Sequence, residues 1–424
     1  MRIESSELHG TVTAPPSKSH THRSVFLASM AEGRSVIRAP LLSADIFSSC
    51  DALRAFGAMI DQNVDGSLTI EGGVLEAPEK MIDVGNSGTT LRLLTGLASL
   101  FPVTTTIDGD SSLRTRPMAP LLMALEKLGA SCTSRDGRPP LSVRGPVLGN
   151  ETSIDGGVSS QFISSLLMAG GLRDSRTRIT VEGKLTSGPY VDITLSMMSR
   201  FGADVLREGA TFITEGGGYT PCDYHVPGDF SSAAFPLVAG AICGDVRVEG
   251  LDHGDLQGDK AIIEILRSFG ADVSTGDGWA RSRKADLQAA DVDLGDTPDL
   301  FPVVCVLAAS SKGTSRLHNA RHLRFKESDR IATSVAMLRA LGADVTPTED
   351  GCVVRGGGQL RGGSIETHGD HRIMMAGAIA AMNAHGTTVM RISGEHRVSY
   401  PQFIAQMRDL GGSLELDEDE QVWQ

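Results

Sequence analysis

A six-residue phrase with glycine at its fifth position recurs six times along the 424-residue chain, and it constrains the fold more than any other feature. Its copies read LRAFGA, LEKLGA, MSRFGA, LRSFGA, LRALGA and MRDLGG. Their glycines, which are 72, 73, 68, 72 and 69 residues apart, are Gly57, Gly129, Gly202, Gly270, Gly342 and Gly411. Each copy closes an amphipathic stretch such as 327–345, where a glycine is a helix stop signal. The pattern predicts six related units of ~70 residues, each with a surface helix.

A second set of six segments lies between these phrases and is built from small and apolar residues. The segments are RSVFLASMAEG, TTLRLLTGLASL, SQFISSLLMAGG, SSAAFPLVAGAICG, LFPVVCVLAASSKG and HRIMMAGAIAAMNAHG. A helix that is apolar on nearly every face is buried. Each unit is therefore predicted to combine one buried helix, one surface helix and several strands in an α/β (α+β) fold. The simplest assembly is two globular domains of three units each, with the buried helices inside and the sheets outside.

Positive charge is concentrated at a few places although the chain as a whole is acidic. It has 39 Lys and Arg residues and 52 Asp and Glu residues. The resulting net charge of −13 argues against a general nucleic-acid binder. Hydroxyl-bearing residues at helix starts are explained by capping alone. Cations there oppose the helix dipole, so they favour an anionic ligand. The cations at or near predicted helix starts are Lys18, Arg23, Arg92, Arg116, Lys326, Arg330 and Arg372.

Several other classes of protein are disfavoured by the motifs. The GNSGTT segment lacks the GK[ST] of a nucleotide P-loop and the spacing of a dinucleotide fold, and no HExxH or GxSxG motif occurs. The six cysteines form no CxxC pair, which predicts a reducing cytoplasmic location without zinc or disulfides. The N-terminus has no apolar signal region, and the run 373–382 is shorter than the ~20 residues that span a bilayer. We expect a soluble cytoplasmic protein that binds neither membrane nor nucleic acid.

Taken together, the motifs resemble the enolpyruvyl transferase family, and within it the members that act on shikimate 3-phosphate. The matching stretches run in the family's order from residue 15 to about 403: PPSKSHTHRS, GNSGTTLRLL, RTRPM, SSQFISSLLM, SGPYVDIT, TPD, FKESDR, DHRIMM and SYPQF. The resemblance implies a fold of two domains with three βαβαββ repeats each. It also implies an upper domain over 14–226 and a lower, discontinuous domain over 1–13 and 227–424.

The same resemblance implies an activity in the shikimate pathway to chorismate and the aromatic amino acids. The carboxyvinyl group of phosphoenolpyruvate would move to the 5-hydroxyl of shikimate 3-phosphate, releasing phosphate, without a metal or organic cofactor. We expect these two small molecules to be the partners of a monomeric enzyme.

Site residues follow from the resemblance position by position. For shikimate 3-phosphate it implies Lys18, Ser19, Arg23, Ser159, Ser160, Gln161, Ser187, Asp299 and Lys326. For phosphoenolpyruvate it implies Lys18, Gly88, Arg116, Gln161, Arg330 and Arg372. Further candidates are Asn86, Thr89, His322 and Arg397. Three residues are expected to do the chemistry, with Asp299 as base at the hydroxyl, Glu327 exchanging protons at the methylene and Lys18 assisting phosphate departure.

Two alternatives remain beside this interpretation. A sister enzyme transfers enolpyruvate to a UDP-sugar, but it carries a cysteine in a loop that here reads DGDSSLRTRP. A binding protein without activity on the same scaffold is the other. It is favoured by Val398, where the family usually has Lys, and by His322, where many members carry Asn. We hypothesise that Arg397, one residue before Val398, replaces the missing lysine.

Overall fold

A computed structural model describes residues 1–78 and 80–417 of the chain. The chain divides into two compact units, each with a hydrophobic core of its own. Unit 1 consists of Met1–Pro15 with Pro227–Gln424, and unit 2 is Pro16–Val226. No helix in the described part of the chain is both long enough and apolar enough to cross a membrane.

Helices alternate with strands through both units. In chain order the α-helices of the described residues are α1 (Lys18–Met30), α2 (Ala44–Ala55), α3 (Gly88–Ala98), α4 (Ala119–Lys127), α5 (Ser160–Leu172), α6 (Gly188–Arg200), α7 (Phe230–Cys243), α8 (Ile262–Ser268), α9 (Phe301–Ser310), α10 (Arg330–Ala340), α11 (His371–Met382) and α12 (Phe403–Asp409). Short 3₁₀ helices are formed by Leu113–Thr115, Gly258–Ala261, Pro298–Leu300, Arg321–Phe325 and Glu395–Val398.

The strands are short. In chain order they are β1 (Arg2–Glu4), β2 (Leu8–Thr13), β3 (Gly33–Arg38), β4 (Met59–Gln62), β5 (Leu68–Gly72), β6 (Ile82–Asp83), β7 (Thr105–Asp108), β8 (Ser131–Arg135), β9 (Arg138–Arg144), β10 (Glu151–Asp155), β11 (Thr177–Glu182), β12 (Val205–Glu208), β13 (Thr211–Thr214), β14 (Tyr224–His225), β15 (Gly244–Glu249), β16 (Asp272–Gly276), β17 (Trp279–Arg283), β18 (Asp291–Asp293), β19 (Gly313–His318), β20 (Asp344–Pro347), β21 (Cys352–Gly356), β22 (Ser364–Glu366), β23 (Thr388–Arg391) and β24 (Ser413–Glu415).

The six sheets formed by the described residues share one topology. Unit 2 holds β14-β3-β5-β4, β6-β7-β9-β8 and β10-β11-β13-β12, and unit 1 holds β2-β15-β17-β16, β18-β19-β21-β20 and β22-β23-β1-β24. In each sheet, in this order, the first pair is parallel and the other two pairs are antiparallel. A parallel pair needs a crossover connection, and in four of the sheets the buried helix between the two strands supplies it. This is the predicted βαβαββ repeat, and the predicted fold class is confirmed.

Sequence-distant strands complete three of the sheets. The last strand of unit 2, β14, pairs in parallel with β3, so Tyr224 lies opposite Ile37. The first two strands of the chain, β1 and β2, join sheets of unit 1 formed mainly by residues after Pro227. The repeat is therefore complete in space although it is interrupted along the chain.

Composition explains which helices are buried. The odd-numbered helices are the small-residue segments of the sequence, and every residue of α7 and α11 is buried. The even-numbered helices bury one face and end at the glycine of the recurring phrase. Those six glycines have φ between +81° and +102°, a left-handed conformation that favours glycine at a helix C-terminus.

Candidate active site

The first turn of α1 holds a cation against a carboxylate. Lys18 is the first residue of the helix, and its Nζ donates to Oδ2 of Asp45 at 2.7 Å. Asp45 lies in the first turn of α2, where a negative charge suits the helix dipole. The two side chains are 16% and 8% exposed, so the pair is shielded from solvent but still within its reach.

Arg23 has a different environment from Lys18, one turn further along α1. The residue is buried, and its guanidinium donates to Thr194 Oγ1, to Ser164 Oγ and to the Tyr190 carbonyl at 2.7–3.3 Å. It also donates to the carbonyl of Ser19 at 3.0 Å. Burial lowers the pKa of Arg23 to about 10. Arg23 thereby connects α1 to α5 and α6, and it orients the turn that contains Ser19.

A second set of contacts joins the N-terminal ends of α3 and α5. Gln161 accepts a hydrogen bond from Arg92 Nη1 at 2.6 Å and donates one to Thr89 Oγ1 at 2.8 Å. Ser159 is the N-cap of α5, and its hydroxyl accepts from the Gln161 amide at 3.3 Å. The structure therefore brings together three of the predicted site residues, Thr89, Ser159 and Gln161, and adds Arg92 to them.

Gly88 allows two arginines to approach the start of α3. A Cβ added at Gly88 would lie 2.6 Å from Arg116 Nη1 and 2.9 Å from Arg92 Nη1, so the ends of these two side chains would have to shift. Arg116 is buried and donates to Asn86 Oδ1 at 2.7 Å, while Asn86 donates to Asp110 Oδ2 at 2.7 Å. Backbone N–H groups at a helix start and two guanidinium groups favour an anion at this place.

Hydroxyl groups at two further helix starts belong to the same unit. Ser160 is the first residue of α5 and is buried. Ser187 is the N-cap of α6, and its φ of +56° is left-handed, a strained conformation for a residue other than glycine. Such strain is concentrated at functional sites. Ser187 is thus held in a specific orientation at the start of α6.

In unit 1, one buried arginine contacts three carboxylates. Arg330, the first residue of α10, has a side chain that is 1% exposed. It donates to Asp299 at 2.8 Å, to Glu327 at 2.6 Å and to Asp370 at 2.9 Å. Burial alone would lower the pKa of Arg330, but Asp370, Glu327 and Asp299 raise it above its ordinary value. This guanidinium therefore stays charged and organises the cluster.

Asp299 bridges two arginines. It lies in the 3₁₀ helix before α9, and its carboxylate accepts from Arg330 at 2.8 Å and from Arg372 at 2.7 Å. Burial would raise the pKa of Asp299, but Arg372 and Arg330 outweigh it and hold the pKa below its ordinary value. Asp370 is the N-cap of α11, and it accepts from the Arg372 amide at 2.9 Å as well as from Arg330.

The segment before α10 contributes further predicted residues to this cluster. His322 is buried in the 3₁₀ helix Arg321–Phe325. Burial, helped by Lys326 and opposed by Asp299, lowers the pKa of His322 to about 4, so its imidazole is neutral at pH 7. Arg397 is exposed, in the 3₁₀ helix Glu395–Val398, and no contact in the structure tests its predicted role.

Asp299 and Glu327 were expected from the sequence, but three other carboxylates were not. Asp370 lies within the DHRIMM motif but was not among the predicted site residues; it caps α11, and its side chain also holds Arg330. Asp45 carries no motif, so nothing in the sequence associated it with Lys18. Asp259 is buried on the 3₁₀ helix Gly258–Ala261 and accepts from Ser231 Oγ at 2.5 Å.

The positive charges at helix starts thus have a partial structural explanation. Lys18, Arg330 and Arg372 each have a carboxylate partner within 2.9 Å, so these cations do not require a ligand to be stable. Each carboxylate can nevertheless be replaced by an oxygen of an anionic ligand, because a guanidinium fork accepts carboxylate and phosphate alike. Unit 2 thus holds mainly cations, amides and hydroxyls at its helix starts, and unit 1 holds arginines paired with carboxylates.

Comparisons with known proteins agree with one another. The EPSP synthase (3-phosphoshikimate 1-carboxyvinyltransferase) family model matches residues 3–407. A protein of Methanocorpusculum labreanum named 3-phosphoshikimate 1-carboxyvinyltransferase is 48% identical over 416 residues, covering 97% of this chain and 98% of that protein. A protein of Methanothermobacter thermautotrophicus with the same name is 44% identical over 419 residues, covering 97% of this chain and 98% of that protein.

Solved structures give the same result. The EPSP synthase of Acinetobacter baumannii superposes with a TM-score of 0.80 at 31% identity, covering 96% of this chain and 97% of that one. An enolpyruvyl transferase from Streptomyces tendae superposes with a TM-score of 0.78 at 17% identity, which shows the fold alone.

Proposed function

The chain belongs to the EPSP synthase family, and from this premise we propose that it transfers the enolpyruvyl group of phosphoenolpyruvate to the 5-hydroxyl of shikimate 3-phosphate. The proposal is best supported by the family match, because the matched range includes the candidate site residues described above. The family model covers residues 3–407, and the arginines, carboxylates and hydroxyls of both clusters lie within it.

Recognition of shikimate 3-phosphate requires donors for a phosphate and partners for a carboxylate and two hydroxyls. Ser159, Ser160 and Ser187 would donate to the phosphate from the starts of α5 and α6, where the helix dipoles also favour an anion. The other proposed contacts are Lys18, Ser19, Arg23, Gln161, Asp299 and Lys326. Arg23 is so enclosed by protein donors and acceptors that we expect it to act chiefly by orienting Ser19.

Phosphoenolpyruvate carries a carboxylate and a phosphate, and arginines are suited to both. The proposed contacts are Arg116 with the Gly88 backbone, and Arg330 with Arg372. Lys18, Gln161, Asn86 and Thr89 are further proposed contacts. When substrate oxygens occupy the forks of Arg330 and Arg372, Asp299 shares those donors and becomes more basic. Substrate binding would thus prepare the base.

The reaction is an addition followed by an elimination. The 5-hydroxyl oxygen bonds to C2 of phosphoenolpyruvate, its proton passes to Asp299, and Glu327 protonates the C3 methylene. The resulting tetrahedral intermediate then loses phosphate from C2, while Glu327 takes a proton back from C3 and the vinyl group forms again. The hydroxyl proton held by Asp299 is released to the departing phosphate, which restores both carboxyl groups. Lys18 offsets the charge of the departing phosphate. Proton transfer of this kind requires positioned carboxyl groups, which Asp299 and Glu327 would supply from their contacts with Arg330.

The test is a coupled assay of phosphate release with both substrates present. We expect turnover by the wild-type protein, and loss of more than about tenfold in Lys18→Met, because charge-assisted contacts contribute ~1.5–3 kcal/mol each. Lys312→Met, which alters an exposed lysine paired with Asp286, is the control and should retain activity. No release by the wild-type protein, or release only with a UDP-sugar in place of shikimate 3-phosphate, would contradict the proposal.

Location and assembly are proposed with the function. A cytoplasmic location is supported by the six cysteines, all of which are free thiols. We propose that the enzyme acts as a monomer, which light scattering in solution would test.

A further inference from the structure

Helix α2 lies between two helices that carry proposed substrate contacts, although it carries none itself. Its first turn meets α1 through the ion pair of Asp45 with Lys18, at 2.7 Å. The same residue meets α3, because the backbone carbonyl of Asp45 accepts from Thr90 Oγ1 at 3.4 Å. One residue of α2 therefore contacts both neighbours close to their N-terminal ends.

A buried chain of hydrogen bonds repeats this connection one turn further along α2. His22 Nδ1 of α1 bonds to Ser49 Oγ at 2.9 Å, and Ser49 Oγ bonds to Thr90 Oγ1 of α3 at 2.7 Å. Thr90 in turn bonds to Ser87, the N-cap of α3, at 2.6 Å. Burial, together with Lys18 and Arg23, holds the pKa of His22 well below its ordinary value, so the ring is neutral. The chain fixes the helices without adding charge.

Asp45 is therefore the charged contact between α2 and Lys18, the lysine of the proposed reaction. A free lysine side chain has ~1.5–2 kcal/mol of rotamer entropy at 25 °C, so an unconstrained ammonium would occupy many positions. A carboxylate at 2.7 Å selects one of them. It also lowers the attraction of Lys18 for any anion, since part of the positive charge is already compensated.

We propose that Asp45 is a positioning residue for Lys18, holding its ammonium at the reacting groups at the expense of some affinity for the anionic substrates. The proposal rests on the proposed function. It has a kinetic signature that a purely structural role lacks. Loss of the carboxylate should lower kcat, because the ammonium is less well placed, while the KM values stay unchanged or fall, because Lys18 is then free to attract anions.

The experiment compares Asp45→Asn with the wild-type protein in the phosphate-release assay. We expect kcat to fall by about 10- to 100-fold, the range associated with misplacement of a reacting group by about 1 Å, with no increase in either KM. Asp45→Glu, which keeps the charge one methylene further out, should recover part of the loss. Asp51→Asn is the matched control on the same helix, since Asp51 is 73% exposed and pairs with Arg54.

Every outcome of this experiment either supports or overturns the positioning role of Asp45. A kcat of Asp45→Asn within about twofold of the wild type, or a rise in KM with kcat unchanged, would overturn the proposal. If Asp45→Asn does not fold, Asp45→Glu decides: a reduced kcat at an unchanged melting temperature supports the positioning role, and a wild-type kcat overturns it. Inactive wild-type and Asp51→Asn proteins would instead show that the proposed function is wrong.

Discussion

Asp259 is a buried carboxyl that the proposed reaction does not use. It accepts from Ser231 Oγ, and the neighbouring Gln257 side chain is held by the Phe230 amide and the Gly228 carbonyl, each at 2.9 Å. The segment is thereby fixed on the N-terminal end of α7. Burial raises the pKa of Asp259 to about 7, Asp299 adds to the rise, and the Ser231 hydrogen bond and Arg372 oppose it.

This pKa predicts how stability changes with pH. Between the unfolded pKa of ~4 and the folded pKa of about 7, the folded protein binds more protons at Asp259, so stability falls as pH rises. Asp259→Asn removes that dependence. We expect its free energy of unfolding, relative to the wild type, to increase between pH 5 and pH 8 by about 1–3 kcal/mol, measured by urea denaturation. Asp286→Asn, at an exposed position, should show no such trend.

Arg397 is the residue proposed to replace a family lysine. Its 3₁₀ helix is anchored by Glu395, which accepts from Thr367 Oγ1 and the Ser393 amide at 2.8 Å, and by the buried His396. Arg397 itself is exposed, so its side chain can reach a bound anion without displacing the core.

We expect Arg397→Ala to raise the KM for phosphoenolpyruvate about tenfold, as loss of one charge-assisted hydrogen bond would. Binding of shikimate 3-phosphate alone should change little. Val398→Lys should then add little affinity, and Arg391→Ala, at another exposed arginine, serves as the control. A silent Arg397→Ala together with a strongly improved Val398→Lys would contradict the hypothesis.

At the scale of elements, the site of unit 2 depends on how closely α3 and α5 approach. Ser165 Oγ donates to the carbonyl of Arg92 at 2.6 Å, so the two helix backbones touch beside the Arg92–Gln161 contact. Gly96 makes this possible. A Cβ at Gly96 would lie 2.8 Å from the Ser165 carbonyl oxygen, a backbone atom that cannot move independently.

Gly96→Ala should therefore be destabilising although alanine favours helices. The gain in helix propensity is at most ~1 kcal/mol, whereas overpacking costs about 1–3 kcal/mol. We expect a net loss in urea denaturation and, because α3 moves relative to α5, an increased KM for phosphoenolpyruvate. Gly358→Ala is the control, because a Cβ there meets no atom within 4 Å. A stabilised Gly96→Ala protein would show that the helices have room to separate.

At the scale of the molecule, the two units have separate hydrophobic cores. The core of unit 2 contains α1, α3 and α5, and that of unit 1 contains α7, α9 and α11. Because each core is complete in itself, we propose that each unit is a domain that unfolds as a cooperative element.

A single tryptophan can report on one unit. Trp279 lies in β17 of unit 1, and Trp423, outside the described residues, can be replaced by Phe. In that background Leu94→Ala, in the core of unit 2, should cost about 2–5 kcal/mol and lower the midpoint of part of the circular dichroism transition. The fluorescence midpoint of Trp279 should move little. Equal shifts of both signals would show that the units unfold together.

Local patterns determined the repeat, the fold class and the family of this protein. The glycines that end the surface helices and the small-residue pattern of the buried helices are each local in sequence, extending over one to a few helical turns. They can therefore be recognised from the sequence alone. The nine motifs that indicated the enolpyruvyl transferases are likewise short segments in a fixed order.

Partnerships across long sequence separations were decided only by the tertiary structure. Arg330 and Asp370 are 40 residues apart, Arg372 and Asp299 are 73 apart, and Lys18 and Asp45 are 27 apart. The sequence predicted these cations and, through the resemblance, Asp299 and Glu327. Nothing in it indicated that Asp45 holds Lys18 or that Asp370 holds Arg330. Which carboxylate oxygen contacts which guanidinium depends on how the six similar repeats pack. A local pattern cannot indicate these contacts, because it has the same form in every repeat.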